Sequence, residues 1–456
     1  MPNTVYIVHC IDTEGPLYES TSATFERLSE IFDIQLEPST ETLQKLQKGS
    51  IDLGGMEDAV KKVVDPHLLT YNDTWDKVDK MLVDAMSAQY RNRVLDSYGN
   101  GWIYNWFCVD HVDYEVNPRR RDIGYHNIFD HYRDIIQATK SPQDSIHFHF
   151  HPQPFRREGH RCATHFWANS DSLGQVLSRR IIDRIWFPVA HRPGFHVIRP
   201  DSHWFLEQFI PFSPSSLSKP QTTEDKSQFG LESGRYGDWR RAPITWVPYH
   251  PSHDDYQVPG NCRRWITRCL NIGTRYLLLE ESDIRLAFEE AQLGKPVILA
   301  ITNHDFRDLR DDIDEFRNSI AKIAADYPDV KYRYSEVVDA MRSALKLSYL
   351  PPCEFEFEIH PLRKDTSVLS LYCKTPTFGP QPWLAIKTSA GTYHYDNLDT
   401  DIPFHQWKYV FDRDTYPLNA LSKIGFAANN AYGTTTIVTY DPSTRHTSKT
   451  ILNDKE

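Results

Sequence analysis

The sequence predicts an α/β barrel followed by a separate all-β domain. Short β-branched runs alternate with helix-patterned stretches through residues 1–348. Several of these runs end in acids, imidazoles or an arginine, and a barrel of parallel strands assembles its site from the loops at its strand C-termini. After Pro351-Pro352 the pattern changes to alternating β segments rich in aromatics, Thr and Gly, the habit of a β-sandwich.

The chain has 456 residues, enough for two domains, with the boundary expected between 1–348 and 349–456. A content of 40% hydrophobic and 25% charged residues is that of a globular chain and argues against disorder. The net charge of -11 argues against a general nucleic-acid binder, which would need a strongly basic face. The cysteines are Cys10, Cys108, Cys162, Cys262, Cys269, Cys353 and Cys373. Their odd number and the lack of a CxxC pair oppose a disulfide framework and a structural zinc site. They are expected to be buried as small apolar residues. Met1-Pro-Asn-Thr leads straight into Val5-Tyr-Ile-Val-His-Cys-Ile11 with no basic and apolar leader. No apolar run is long enough to cross a bilayer. These features predict a soluble, reduced, cytoplasmic protein.

The first strand is Val5 to Ile11, ending in Asp12-Thr-Glu14-Gly. Residues 20–99 are polar and helix-leaning, as in Asp76-Lys-Val-Asp-Lys-Met-Leu-Val-Asp-Ala-Met, and predict a helical insertion. A second strand, Gly101 to Val109, ends in Asp110-His111. A helix near Ile128–Ala138 leads to Ser145-Ile-His-Phe-His-Phe-His151-Pro, which alternates like a strand. Helix Ser172–Arg184 leads to Trp186-Phe-Pro-Val-Ala-His-Arg192-Pro, and helix Arg199–Gln208 to Ile210-Pro-Phe. Strand Pro296–Ile301 ends in Thr302-Asn-His304-Asp305. A helix over Asp311–Ala325, the run Val330-Lys-Tyr-Arg-Tyr and a helix near Ser335–Leu345 complete the barrel pattern.

Asp12 and Glu14, two apart at a strand end, point the same way. Together they can hold a metal and take a proton, although turn acids often serve only local backbone hydrogen bonds. His147, His149 and His151 stand at alternate positions of one strand. Imidazole is the commonest metal ligand, and two histidines with one carboxylate make an open site suited to activating water. Arg192 after a strand can fork onto a carboxylate. Standing alone, Asp238-Trp239 is a surface turn beside a core Trp, and His304 a structural histidine.

In this order the motifs resemble the NodB-type polysaccharide deacetylases, a family of metal-dependent carbohydrate esterases. The matching residues are Asp12-Thr-Glu14, His147-Phe-His-Phe-His151-Pro152, Arg192-Pro193-Gly194-Phe195, Asp238-Trp239 and Leu299-Ala-Ile-Thr-Asn-His304. The likeness covers residues 1–345 outside the insertion. The opening Ile-Asp-Thr-Glu-Gly is similar to the WbmS-like branch, associated with O-antigen synthesis. Leu299 to His304 is two residues longer than the family spacing, and two departures bear on the chemistry: Glu14 replaces the commoner Asp, and Arg192 is followed directly by Pro193, which shifts the backbone donor of that loop.

The resemblance implies a distorted (β/α) barrel of the NodB-homology type and an N-deacetylase acting on an amino sugar or activated sugar of surface polysaccharide synthesis. It implies one divalent metal, zinc first, with Co2+, Ni2+ or Mn2+ also compatible, held by Glu14, His147 and His151. Asp12 is then the base, Arg192 its orienting partner, His304 the acid and Asp238 the group that orients His304. Asp110, His111, His149, Phe195 and Trp239 are expected to contact substrate, with a backbone N–H near Phe195 serving the developing oxyanion. Arg119-Arg120-Arg121 fits a sugar phosphate or a solvated charge run. The rival readings are an amidohydrolase on a non-sugar C–N bond and a catalytically silent carbohydrate-binding protein. Trp383 and Trp407 of the β domain are sugar-binding surfaces or, more commonly in a sandwich, core.

Overall fold

The computed structural model describes residues 3–152, 166, 170–220, 237–274 and 277–455; Cys162 lies outside them. Parallel strands β1 (Asn3–Thr13), β2 (Asn105–Asp110), β3 (Ser145–Phe150), β4 (His191–Pro193), β5 (Phe212–Ser216), β6 (Trp265–Asn271) and β7 (Val297–His304) run in the spatial order β4-β3-β2-β1-β7-β6-β5. A parallel bridge from Ala190 to Phe212 joins the two outer strands. The result is a nearly closed seven-stranded barrel. β8 (Val330–Tyr334) pairs with the first half of β1, Asn3 to Ile7, while β2 pairs with its last residues, Cys10 to Thr13.

Alternation decides what each strand residue does. Val8, Cys10, Phe107, Ala190, Phe212, Cys269, Ile298 and Ala300 share one apolar cluster with Val337, Val338 and Met341 of the last barrel helix, Val337–Leu345. Their sequence neighbours Ile7, Ile11, Trp106, Cys108, Leu270, Leu299 and Ile301 join the larger cluster under the surrounding helices. Both faces of the strands are therefore dry, which is why β1 and β7 read as continuous apolar runs. β4, β5 and β6 are less legible: β4 has three residues, β5 reads Phe-Ser-Pro-Ser-Ser, and β6 has polar inward positions.

Between β1 and β2 lie helices Thr21–Phe32, Thr40–Lys48, Glu57–Val63, Pro66–Leu69, Trp75–Ala85 and Ala88–Arg91. Ser20, Ser39 and Thr74 cap three of them by accepting backbone N–H groups, as short polar side chains do at helix starts. Phe25, Leu28, Leu46, Val60 and Val64 form a core of their own, whereas Val78, Met81, Leu82 and Ala85 join the barrel's outer layer.

The C-terminal region holds two antiparallel sheets. β9 (Phe355–Arg363), β10 (Thr366–Cys373), β13 (Asp399–Ile402) and β14 (Gln406–Phe411) form one, ordered β13-β14-β10-β9. β11 (Trp383–Thr388), β12 (Tyr393–Asp396), β15 (Leu421–Asn429), β16 (Thr435–Asp441) and β17 (His446–Leu452) form the other, ordered β12-β11-β15-β16-β17. Leu371, Leu384, Ile386, Trp407, Ile424 and Phe426 fill the space between them. The other face of the five-stranded sheet, with Trp383, Ala385, Ala427 and Ile437, joins the same apolar cluster as Ile181, Ile182 and Phe209. Asn429 Nδ2 donates to the carbonyls of Pro188 and Phe209, both at 2.8 Å, and ties sandwich to barrel. Trp383 and Trp407 are both buried, so neither is a sugar-binding surface. Among the described residues, no helix is long and apolar enough to cross a membrane, and six cysteines are free and buried.

Several histidines are buried outside the strand-end cluster. His9 Nδ1 accepts from Trp102 Nε1 (3.1 Å), so its protonated Nε2 donates to Asn303 Oδ1 (2.9 Å). Burial pushes its pKa down to about 4. Burial, followed by the nearby Arg180, pushes His126 to about 3, and burial with Arg264 pushes His203 to about 4. The unfolded chain binds protons at these positions near pH ~6.5 that the folded chain refuses. Stability is thus complete above about pH 6.5 and drains as pH falls toward 4, at about 1.4 kcal/mol per pH unit for a fully buried group such as His9. Burial raises the carboxyls of Asp110 and Asp305 and works in the opposite sense, so His9 is tested by itself. From pH 7.5 to 4.5 the urea midpoint of the wild type is expected to fall relative to that of His9→Gln, and parallel profiles contradict the burial of a neutral imidazole there.

Candidate metal centre

The cluster sits at the C-terminal ends of the strands, where inward-facing positions emerge. Asp12 and Glu14 come from the end of β1, His149 and His151 from the end of β3, Arg192 from β4 and His304 from β7. Asp12 and His304 are register partners, as are His149 and Arg192. Arg192 Nε and Nη2 fork onto the two oxygens of Asp12 at 2.6 and 3.0 Å. Burial alone would raise the Asp12 carboxyl, but Arg192, His149 and His304 hold it far below the usual carboxylate range. His304 Nε2 lies 3.9 Å from both Asp12 Oδ2 and Glu14 Oε1. With 20% of its side chain exposed, His304 is more open than the other members. Burial keeps His304 well below the usual imidazole pKa, hence neutral at pH 7.

Glu14, His149 and His151 are all buried and bring one ligand atom each within 4.8 Å of the others. His149 Nδ1 lies 3.0 Å from the carbonyl of Arg192, so it carries the proton and leaves Nε2 with a bare lone pair. That Nε2 is 2.9 Å from His151 Nε2 and 3.9 Å from Glu14 Oε1, and His151 Nε2 is 3.6 Å from Glu14 Oε1. Two ligands of a tetrahedral zinc stand about 3.3 Å apart, given bonds of about 2.0–2.1 Å. The three separations bracket that value, and the second-nitrogen bond of His149 is the support metal-bound histidines commonly have. The triad can hold a divalent ion. Burial, aided by His149, also keeps His151 far below its usual pKa, so its nitrogen is free to ligate.

His147 is not a member. Its Nε2 lies 2.7 Å from Ser145 Oγ and 3.0 Å from Glu336 Oε1, in a network that also caps the helix Val337–Leu345. The reason is rise. Alternate residues share a strand face, yet each step of two advances about 6.6 Å. Residues 147–150 are extended, so His147 sits a step deeper in the barrel while His151, just past the strand, meets His149.

Asp110 points outward by the same parity. Arg180 Nη2 donates to both its oxygens at 2.7 and 2.9 Å, and burial, opposed by Arg180, leaves its carboxyl near 6. His111, one position on, turns inward, with its ring 5.5 Å from that of His151 and neither nitrogen hydrogen-bonded among the described residues. Asp238 does not orient His304. Its carboxylate is taken by Arg240 at 3.0 and 2.9 Å on a partly exposed turn. The useful parts of that motif are its neighbours. Trp239, buried, donates from Nε1 to the His196 carbonyl (2.9 Å), and the Gly237 amide donates to the Phe195 carbonyl (3.1 Å). A Cβ on Gly237 would lie 1.7 Å from the His196 oxygen. Phe195 and His196 both have left-handed backbones, φ 51° and 55°, and the Phe195 ring meets His151 at 5.1 Å.

No protein-family model matches this chain, and no curated protein matches it. The chemistry of the site therefore rests on its own geometry.

Three parts of the site were not assigned from the sequence. Arg121, taken there as a phosphate contact or a solvated charge, is buried against Glu14 Oε2. Asp305 accepts from the amides of Glu14 and Gly15 and from Tyr132 Oη, each at 2.8 Å, and so holds the loop that presents Glu14. Burial pushes its carboxyl up to about 7. Its position directly after His304, with opposite parity, was the available signal. Gly194 is the third: a Cβ there would stand 2.5 Å from His151 Cγ and Cδ2.

Zinc content after dialysis tests the ligand set. His149→Ala and His151→Ala should lose the ion while His147→Ala retains it. Gly194→Ala, by displacing His151, should weaken zinc on the order of tenfold to a hundredfold, as supporting groups around a metal typically do. Loss of zinc in His147→Ala alone would reverse the assignment.

Proposed function

We propose that the chain is a metal-dependent hydrolase that removes an acyl group from nitrogen, namely acetyl from an amino sugar or activated sugar used in surface polysaccharide synthesis. One observation carries the reaction class: a buried, ionised carboxylate, Asp12, and a neutral imidazole, His304, both stand within 4 Å of a two-histidine, one-carboxylate triad and of each other. The sugar and the acetyl group rest on the resemblance to NodB-type deacetylases, as does the choice of zinc among divalent ions.

Glu14, His149 and His151 would hold the ion, with His149 in the place the motif spacing gave to His147. When bound, a divalent ion there supplies a Lewis acid that polarises the amide carbonyl and acidifies water. Asp12 takes the proton of the attacking water. Arg192 fixes both oxygens of that carboxylate and keeps it charged, at some loss of basicity. His304, on the open side of the cluster and 3.9 Å from Asp12, relays that proton: its neutral ring takes up the proton Asp12 accepted from water and passes it to the departing nitrogen. Asp305 holds the Glu14 loop, and Trp239 with Gly237 holds Phe195–His196, so the acid, the base and the ligands stay in register.

Asp12→Asn keeps the shape of the side chain and removes its capacity to accept a proton. At matched zinc content it should lower kcat by roughly two to four orders of magnitude. Chelation should abolish wild-type activity, and zinc should restore it. N-acetylated amino sugars and small cyclic amides, assayed side by side, separate sugar deacetylation from a non-sugar amidohydrolase. Unchanged turnover in Asp12→Asn overturns the mechanism, and a zinc-loaded wild type inactive on every amide favours a binding protein.

A further inference from the structure

The run Arg119-Arg120-Arg121 sends its three side chains to three separate tasks. Arg119 approaches Glu19 at 3.8 Å, and its carbonyl accepts from the Tyr18 amide at 2.8 Å. Arg120, with φ 49°, lays its guanidinium 4.2 Å over the Tyr18 ring. Arg121 turns inward. The amide of Arg121 donates to Asn117 Oδ1 (2.9 Å) and its carbonyl accepts from Asn117 Nδ2 (2.7 Å), so a single side chain clamps the backbone that aims it.

The Arg121 side chain is 5% exposed and lies against Glu14 Oε2, while Glu14 Oε1 faces His149 and His151. Its Nε has no hydrogen-bond partner among the described residues. A guanidinium has five donors in a planar fork, and this one is buried with one carboxylate in contact, Glu14, and a second, Asp305, within electrostatic range but engaged by the amides of Glu14 and Gly15 and by Tyr132. The Glu14 carboxylate is the one a divalent ion would claim. An ion on Oε1 draws charge away from Oε2 and repels the guanidinium, leaving a buried cation poorly compensated. An oxyanion next to the ion restores the balance, and the fork suits carboxylate or phosphate oxygens.

We propose that Arg121 is an anion-binding residue of this centre, and that the natural substrate carries a carboxylate or phosphate close to its scissile N-acyl bond. This rests on the metal-dependent hydrolase reading and narrows its substrate class. Arg119 and Arg120 are engaged elsewhere, so one anionic group is read and not a polyanion.

The test uses the full chain, with zinc content measured before any anion is added. Inorganic phosphate and acetate are then titrated calorimetrically into zinc-loaded wild type and Arg121→Met at equal zinc occupancy. Both proteins should hold one zinc, and the variant should bind the anions on the order of tenfold more weakly, since hydrogen bonds to charged groups are worth about 1.5–3 kcal/mol. The anion with the larger loss identifies the group that is read. Equal affinities overturn the proposal. So does loss of zinc in Arg121→Met, which makes Arg121 only a strut for Glu14. A wild type that takes up no zinc sinks the metal-centre reading itself and is recognised at the first step. If Arg121→Met does not fold, Arg121→Lys keeps the charge without the fork; it should bind severalfold more weakly, and unchanged affinity overturns the proposal.

Discussion

The barrel and its site both depend on the buried guanidinium of Arg192. It forks onto Asp12 of β1, donates to the Pro214 carbonyl of β5 at 2.5 Å and approaches Cys269 Sγ of β6 at 3.0 Å. Its own carbonyl receives His149 of β3. One residue of the three-residue strand β4 thus ties four other strands around the barrel interior. A charge with no exposure is tolerated only where its donors are met. Removing Asp12 would leave that charge uncompensated, a loss of about 3–5 kcal/mol for a buried pair. The pair that orients the proposed base is therefore also a strut of the fold, and stability should accompany every rate measured on a variant of either residue.

Strand parity does the remaining sorting. Inward positions give Asp12, His149, Arg192 and His304, and the same parity carried past β2 gives His111. Outward positions give Asp110, which meets Arg180 among the helices. Adjacent residues of similar chemistry consequently end in unrelated surroundings. Depth sorts further: His147 shares the parity of His149 but lies lower, where Ser145 and Glu336 satisfy it.

This explains what the sequence can and cannot reveal. The barrel followed by an all-β region was legible because β1 and β7 are dry on both faces and β9 to β17 alternate. β5 and β6 were not, because Pro214 and Ser216 follow Phe212, and Thr267 and Asn271 flank Cys269, at their inward positions and interrupt the apolar pattern. Asp12, Glu14, Arg192 and His304 were legible as strand-end polar residues, and the structure brings them together. The choice among three histidines was not, because a spacing of residues does not show where a strand stops being extended. Asp238 misled because Arg240, two residues on, satisfies it locally. The nearby Gly237 and Trp239 act through backbone contacts that a side-chain motif does not encode.

The loop at residues 194–196 shows why such contacts matter. Two consecutive non-glycine residues in the left-handed region cost on the order of 1–3 kcal/mol each, and such strain persists only where the surroundings over-determine it. Here they do so from both sides. Gly237 and Trp239 hold the carbonyls of Phe195 and His196, while the Gly194 Cα, lacking a Cβ, lets the His151 ring pack directly on the backbone. The strained loop packs against one side of the His151 ring, whose other contacts include His149 and Glu14. Backbone strain at this point accordingly helps fix the Glu14, His149 and His151 triad, which can hold a metal ion, and the Gly-Asp-Trp turn, which lends it no side chain, contributes through the loop it braces.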